Sequence, residues 1–241
     1  MTQVVQGVEA PKRFYENAEV APYENNLFAI TLDGRAAKTP KRLPLVTQHE
    51  NLAKAVAEEW NEVEDAIDTS RMPLTKLLAT LIDLGERARA DWIQVVLNYL
   101  QSDLICYRAS EPAALVERQY EIWSPFADAW ANRFGVKLET TAGIVAVKQP
   151  DEAIRVTSEH LITLSMEHLL AVKVAAEIAG SAVLAIALAE APTQCEEIFE
   201  ASRLDERFQE ERWGSDTEAK TRETNLYRDF SAAATFLQLS G

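Results

Sequence analysis

The sequence predicts an α+β fold, with a small β-rich N-terminal domain followed by a larger, mainly α-helical C-terminal domain. Three observations carry this prediction: short extended segments parted by turn residues fill residues 13–46, apolar residues recur at helical spacing from residue 47 to residue 241, and glycine or proline punctuates that second region. Residues 1–12 read as a flexible lead-in. Further extended segments near 137–148 are expected to return to the first sheet and complete it.

In "NLFAITLDGRAAKTP" the pair Asp33-Gly34 lies between two extended runs and suits the positive dihedrals of a tight hairpin, which makes Gly34 a structural residue. Pro40 and Pro44 limit the length of the next extended run and favour an edge or an irregular third strand. Thr47 with Glu50 makes a capping box, and Leu52, Val56 and Trp60 then share one helical face. Helical character restarts at Pro73 in "DTSRMPLTKLLATLIDL", and "ERARADWIQVVLNYL" adds a helix through Trp92, Val95, Val96 and Tyr99. Ser110 is placed to cap a long helix from Glu111 to Phe134, bent near Ser124-Pro125 because proline lacks a backbone donor, and ended by Gly135. After two extended segments around Gly143, Pro150 opens the next helix and Gly180 divides the apolar run 169–190 into two buried ones. Thr193 with Glu196, and Ser215 with Glu218, repeat the capping box ahead of the last helices.

At 241 residues the chain forms one large domain or two modest ones, burying roughly 70 to 75% of its unfolded surface. Cys106 and Cys195 lie far apart and form no CxxC, which points to plain thiols in a reducing compartment. A net charge of -14, from 38 acidic and 24 basic side chains, disfavours binding to nucleic acid and to anionic membranes. The imbalance is confined to the region after residue 45, since residues 1–45 hold six Lys/Arg against five Asp/Glu. An acidic body suits a basic or amphipathic protein partner, or simply serves solubility. The start shows neither an apolar signal core nor an Arg-rich presequence, so a cytoplasmic location is expected. Lys173, Glu177 and Gly180 interrupt the most apolar run before it reaches bilayer length, and no membrane insertion is expected.

Motifs for chemistry are missing. Eight glycines make neither GxGxxG nor GxxxxGK[ST], and no GxSxG elbow is present. His49, His160 and His168 give no HExxH, and the last two are too far apart to chelate one metal unaided. The carboxylate pairs Glu58 with Glu59, Asp205 with Glu206 and Glu210 with Glu211 are neighbours on helices, pointing about 100° apart, which is the pattern of solvated faces. No cofactor and no metal are expected. The basic run Arg35, Lys38, Lys41 and Arg42 either holds an anion or acidic segment, or protects a sheet edge.

The stretch "SRLDERFQEERWG", residues 202–214, is the informative one. On an ideal helix Ala201, Leu204 and Phe208 make a core stripe; Ser202, Glu206, Gln209 and Trp213 gather on a second arc; Arg203, Arg207, Glu200 and Glu211 take a solvated side; Asp205 lies between the first two. A face of hydroxyl, carboxylate, carboxamide and indole is a contact surface, in which the ring gives area and the polar groups give direction. Alternatively Trp213 is tucked between helices of its own domain, with Gly214 as a left-handed terminator.

This stretch resembles the C-terminal motif of the chaperones that assemble the F-type ATP synthase head by acting on its alpha subunit, the ATP-twelve family. Further similar blocks stand in order along the chain: "KRFY" at 12–15, "LDGRAAKTPKRLPL" at 32–45, "AEEW" ending on Trp60, "IDTSRMPLTKL" containing Pro73, "SDLICYRA" at 102–109, "GIVAVKQP" at 143–150 and "GSAVLAIALAE" at 180–190. The resemblance implies a β-rich domain followed by a helical one, no catalysis, and transient binding of the unassembled alpha subunit; a monomer is expected, since the sticky surface is reserved for a client. It also implies that an acidic residue just after "SRL" matters for function, which here means Asp205 with Glu206 beside it, and Trp213 with Gly214 matches the family's Trp-Gly pair; Ser202, Gln209 and Trp213, on the second arc, are then the partner-facing candidates. Glu210 stands where relatives place an aliphatic residue, and Ala146 where a second proline is expected. Mitochondrial members need a presequence, so a bacterial member is implied. The rival readings are a hydrolase using Asp205 or Glu206 as base, and an interaction module with another client.

Overall fold

The structure is a computed structural model and describes residues 11–143, 146–214 and 216–241. The chain divides into two compact units, the first running to Asp83 and the second from Leu84 to Gly241.

In the first unit β1 (Ala18–Tyr23) and β2 (Leu27–Leu32) form an antiparallel pair, registered from Ala18 opposite Leu32 to Tyr23 opposite Leu27. The other edge of β2 is shared by two short strands, β3 (Arg35–Ala36) and β4 (Val46–Thr47). Asp33 (φ 48°) and Gly34 (φ 78°) make the predicted tight turn, two positive dihedrals that suit the twist of the strands they join. Helix α1 (Glu50–Asn61) packs Leu52, Ala53, Val56, Ala57 and Trp60 onto β1 and β2. Its last residue pins a strand end, since the Asn61 carboxamide both accepts from Ala18 N–H (2.8 Å) and donates to Ala18 C=O (2.9 Å). Pro73 opens α2 (Pro73–Leu84), where proline's missing donor costs nothing, and the Glu59 carboxylate accepts from the N–H groups of Leu74 and Thr75, each at 2.8 Å.

The units therefore part after Asp83, not at residue 46: α1 belongs with the sheet because its apolar stripe packs on β1, β2 and β4. The basic hairpin is tied down within this unit. Lys41 donates from its backbone N–H to the Asp83 carboxylate (3.2 Å) and from Nζ to the Asp83 carbonyl (3.0 Å).

The second unit holds α3 (Arg89–Gln101), β5 (Tyr107–Arg108), α4 (Ala113–Phe134), β6 (Thr141–Ala142), α5 (Asp151–Thr163), α6 (Met166–Ala179), α7 (Ala182–Glu190), α8 (Cys195–Ser202), α9 (Leu204–Trp213) and α10 (Thr217–Leu239). Its centre is the α6–α7 pair, with α3 and α10 packed on α6. α7 buries Ala182, Val183, Leu184, Ala185, Ile186 and Leu188, so it is apolar nearly all round, as a central helix must be. Gly180 turns the chain between the two helices with φ 67°, and the Ser181 hydroxyl accepts from Leu184 N–H (3.0 Å). Fully buried Asp103 accepts from Val183 N–H at 3.0 Å and Ile105 N–H at 3.3 Å; burial raises its pKa to about 6 against those hydrogen bonds.

Several local expectations are corrected. The segment around residue 141 does not return to the first sheet: β6 pairs in parallel with β5 inside the second unit. Ile144 and Val145, in the same predicted segments, lie outside the described residues. Thr47 is a strand residue whose hydroxyl accepts from His49 N–H (3.2 Å), and His49 is the N-cap of α1. Ser110 caps nothing because α4 begins only after Pro112. Thr193 sits in a 3-10 turn, Pro192–Gln194, that precedes α8. Ser215 lies outside the described residues, and Asp216 caps α10 by accepting from Ala219 N–H (2.6 Å). α4 runs through Pro125 and ends, as predicted, at Gly135 with φ 74°. Cys106 is buried and Cys195 half-buried, both as free thiols. Among the described residues no helix is long and apolar enough to cross a membrane.

Candidate functional site

The stretch 202–214 is not one helix. The chain breaks at Arg203 (φ -106°, ψ 12°), where the guanidinium donates from Nη2 to the Ile178 carbonyl (2.9 Å), and α9 starts afresh at Leu204. The predicted core stripe holds across the break, with Ala201, Leu204 and Phe208 all buried. The second arc does not. Ser202 is buried, its hydroxyl donating to the Phe199 carbonyl (2.6 Å), so it cannot meet a partner. The one-helix arithmetic failed there because nothing in "ASRLD" announces a break.

Asp205 is half-buried and engaged within its own unit. Gln119 of α4 donates from Nε2 to Asp205 Oδ1 at 2.7 Å. Gln119 is itself fully buried, and its Oε1 accepts from Ala109 N–H (2.7 Å) while its carbonyl accepts from Arg108 Nη1 (2.7 Å). One turn on, Trp123 Nε1 donates to the Ala201 carbonyl (2.7 Å), and the Arg108 guanidinium stands 5.3 Å from the Trp123 ring. Burial lowers the pKa of Arg108. Two buried polar side chains on one face of α4 thus fix both the end of α8 and the start of α9. Sequence reasoning missed Gln119 and Trp123, although a carboxamide on the stripe that also carries Trp123 is a signal, because such a group needs a built partner.

The remaining motif residues face outward. Glu206 is exposed and pairs with Arg203 at 3.3 Å; Gln209 is exposed; Trp213, last residue of α9, is 77% exposed and is not packed between helices. Gly214 has positive φ (78°) but extended ψ (169°), so it is not the left-handed terminator of the alternative reading; it turns the chain out of α9 in a conformation essentially confined to glycine. Two cations stand over the Phe208 ring, the guanidinium of Arg212 at 4.5 Å and that of Arg118 at 5.5 Å.

The side read as solvated is the most charged. Arg207 joins Glu200 of α8 (2.7 Å), Glu210 (3.4 Å) and Glu223 of α10 (3.0 Å). These pairs lower the pKa of Glu200 and raise that of Arg207. Arg118 pairs with Glu211 at 2.8 Å, which lowers the pKa of Glu211. Trp60, Pro73 and Gly34 belong to the first unit as structural residues: Trp60 is buried against the sheet and the other two start a helix and a turn. Among the described residues no group of three or more His, Cys, Asp or Glu is arranged to hold a metal ion. His160 rests on the Phe134 ring (5.6 Å), with burial first and Arg133 second lowering its pKa.

Comparison with known proteins agrees with this architecture. The family model described as "ATP12 chaperone protein" matches residues 12–132. The chain is 26% identical over 216 residues to the mitochondrial atp12 protein of Schizosaccharomyces pombe, covering 85% of this chain and 74% of that one. The crystal structure of a chaperone candidate from Agrobacterium tumefaciens superposes with a TM-score of 0.89 at 35% identity, over 95% of this chain and 86% of the other. That of Atp12 from Paracoccus denitrificans gives 0.85 at 31% identity, over 96% and 99%. With the profile matching half of the sequence and the fold matching nearly all of it, the chain belongs to the ATP12 chaperone family, the assembly factors of the F-type ATP synthase.

Proposed function

We propose that the chain binds the alpha subunit of the F-type ATP synthase before assembly and does so through the outward side of α9, acting as a monomer without catalysis. The observation that carries the reading is Trp213: a tryptophan 77% exposed at the end of a helix whose other side is fastened to α4. An indole held out on a supported helix offers contact area at little ordering cost. Glu206 and Gln209, exposed on the same helix, give polar direction, and Asp205 positions the start of α9 through Gln119.

A lone head subunit exposes the apolar surface that later meets its neighbour, and such a patch invites aggregation. Covering it with a partly polar face keeps the complex weak enough for the beta subunit, with its larger interface, to take over without ATP hydrolysis. The absence of catalysis is supported by the chemistry of this region. Asp205 Oδ1 is engaged by the Gln119 carboxamide, and the Cys106 thiol is pushed up to about 12 by burial. Location in a bacterial cytoplasm is supported by the higher identity to the two bacterial proteins.

The test is a pull-down with the tagged chain against separately expressed alpha and beta subunits. Retention of free alpha subunit, and of little beta subunit or assembled enzyme, is expected. No retention of alpha subunit at micromolar concentration overturns the proposal.

A further inference from the structure

A groove of about 930 Å³ runs along α4 beside the motif helix. Its floor is apolar: Ile122, Pro125 and Phe126 from α4, Ala187 from α7 and Leu204 from α9. Its rim is acidic, with Glu121, Glu190, Glu197, Glu200 and Glu211, all exposed. The two cations of the lining are already neutralised, Arg118 by Glu211 and Arg207 by Glu200. Glu121 and Glu197 make no ion pair among the described residues, and they face the groove from α4 and α8.

The dimensions suit a helix. Two ion pairs cross from α4 to its neighbours, Arg118 to Glu211 of α9 and Arg133 to Glu190 of α7. Arg118 and Arg133 stand about 22 Å apart along α4 at 1.5 Å per residue, room for roughly four turns of a second helix laid between them. Within that interval Ile122, Pro125 and Ala129 are exposed. Pro125, which has no N–H to return to the carbonyl of Glu121, lines the groove together with that residue.

We infer that this groove receives an amphipathic helix of the unassembled alpha subunit, apolar on the face that meets Ile122 and Phe126 and bearing Lys or Arg on the flanks that meet Glu121 and Glu197. The inference rests on the proposed function and adds the chemistry of the recognised segment. Charge complementarity decides the occupant. A neutral or acidic helix leaves the rim carboxylates unpaired as water is expelled, whereas a basic one pairs them, and a helix laid into an apolar groove is an established mode of recognition. A second copy of this chain is disfavoured, because its net charge of -14 opposes close approach.

The experiment uses the full chain and purified, unassembled alpha subunit, with binding measured for wild type, for the Glu121→Lys/Glu197→Lys double variant and for Ala129→Trp, which plugs the groove from an exposed position. Circular dichroism and thermal unfolding of each variant serve as folding controls, and light scattering gives the oligomeric state. Expected is binding by wild type, a loss of about tenfold or more in both variants with folding unchanged, and a monomer throughout. A 15-residue Leu/Lys model helix should bind wild type and not the double variant, and its Leu/Glu counterpart neither. Failure of wild type to bind alpha subunit sinks the proposed function itself. Normal binding by wild type and both variants leaves that function standing and overturns the groove as its seat. A wild-type dimer abolished by Ala129→Trp assigns the groove to a second copy and overturns it equally.

Discussion

Gln119 and Asp205, far apart in sequence, meet side chain to side chain at 2.7 Å, and through them α4 sets where α9 begins. The acidic residue singled out in the motif therefore has a positional role before any partner arrives.

Replacing Asp205 by alanine leaves the buried Gln119 Nε2 without its acceptor and is expected to cost about 1–3 kcal/mol of unfolding free energy, measured by urea denaturation. Glu206→Ala, at an exposed site, should stay within about 0.5 kcal/mol. Equal effects of the two would contradict the Asp205–Gln119 relationship.

Of the five tryptophans, Trp60, Trp92, Trp123 and Trp130 are buried and Trp213 is not. Acrylamide should quench wild-type fluorescence mainly through Trp213, and Trp213→Ala should remove that component while changing stability by less than about 0.5 kcal/mol. The same variant should weaken retention of the alpha subunit. Persistence of quenching in Trp213→Ala would mean that another indole is the accessible one.

At Gly214 an added Cβ meets nothing within 4 Å, so the expense of Gly214→Ala is that of the backbone alone, about 1–3 kcal/mol for a conformation with φ 78° and ψ 169°. Faster amide hydrogen exchange in α9 is the expected readout. Gly214→Asn should not rescue it, because asparagine tolerates the left-handed helical region, which this residue does not occupy.

Asp103 gives a pH dependence of defined sign. Its folded pKa, about 6, exceeds the ordinary 3.8, so the native state holds the proton more tightly than the unfolded chain. The resulting stabilisation is fully present below 3.8 and is lost as pH rises through 6. The stability advantage of wild type over Asp103→Asn should therefore be larger at pH 4.5 than at pH 7, as read from urea midpoints. An advantage that grows with pH would reverse the assignment.

Much of the fold was legible because the decisive signals are local. Asp33-Gly34 dictates its turn whatever surrounds it, Gly135 and Gly180 end their helices through dihedrals other residues avoid, and the stripe Leu52, Val56, Trp60 declares a buried face. That stripe does not declare what it faces, which is why the division after Asp83 could not be read. The capping boxes misled for a similar reason: a threonine three residues before a glutamate caps only if the chain is free to turn there, and Thr47 is held in a strand opposite Phe28. In the candidate site the outward placement of Glu206, Gln209 and Trp213 followed from helical spacing alone. The withdrawal of Ser202 and the capture of Asp205 depend on the kink at Arg203 and on Gln119, a contact made across the fold.

Arg207 joins α8, α9 and α10 by surface charge in addition to the burial that holds them, as it holds α6 and α7, so two kinds of contact in one unit, ionic and apolar, answer to different solvent variables. Ionic strength acts on the first and scarcely on the second, since partly exposed pairs are screened over a few ångströms while apolar contacts are not. A concentrated electrolyte can thus weaken the ion pairs around α9 reversibly and leave the apolar interior folded, giving a physical handle for separating local loosening from denaturation.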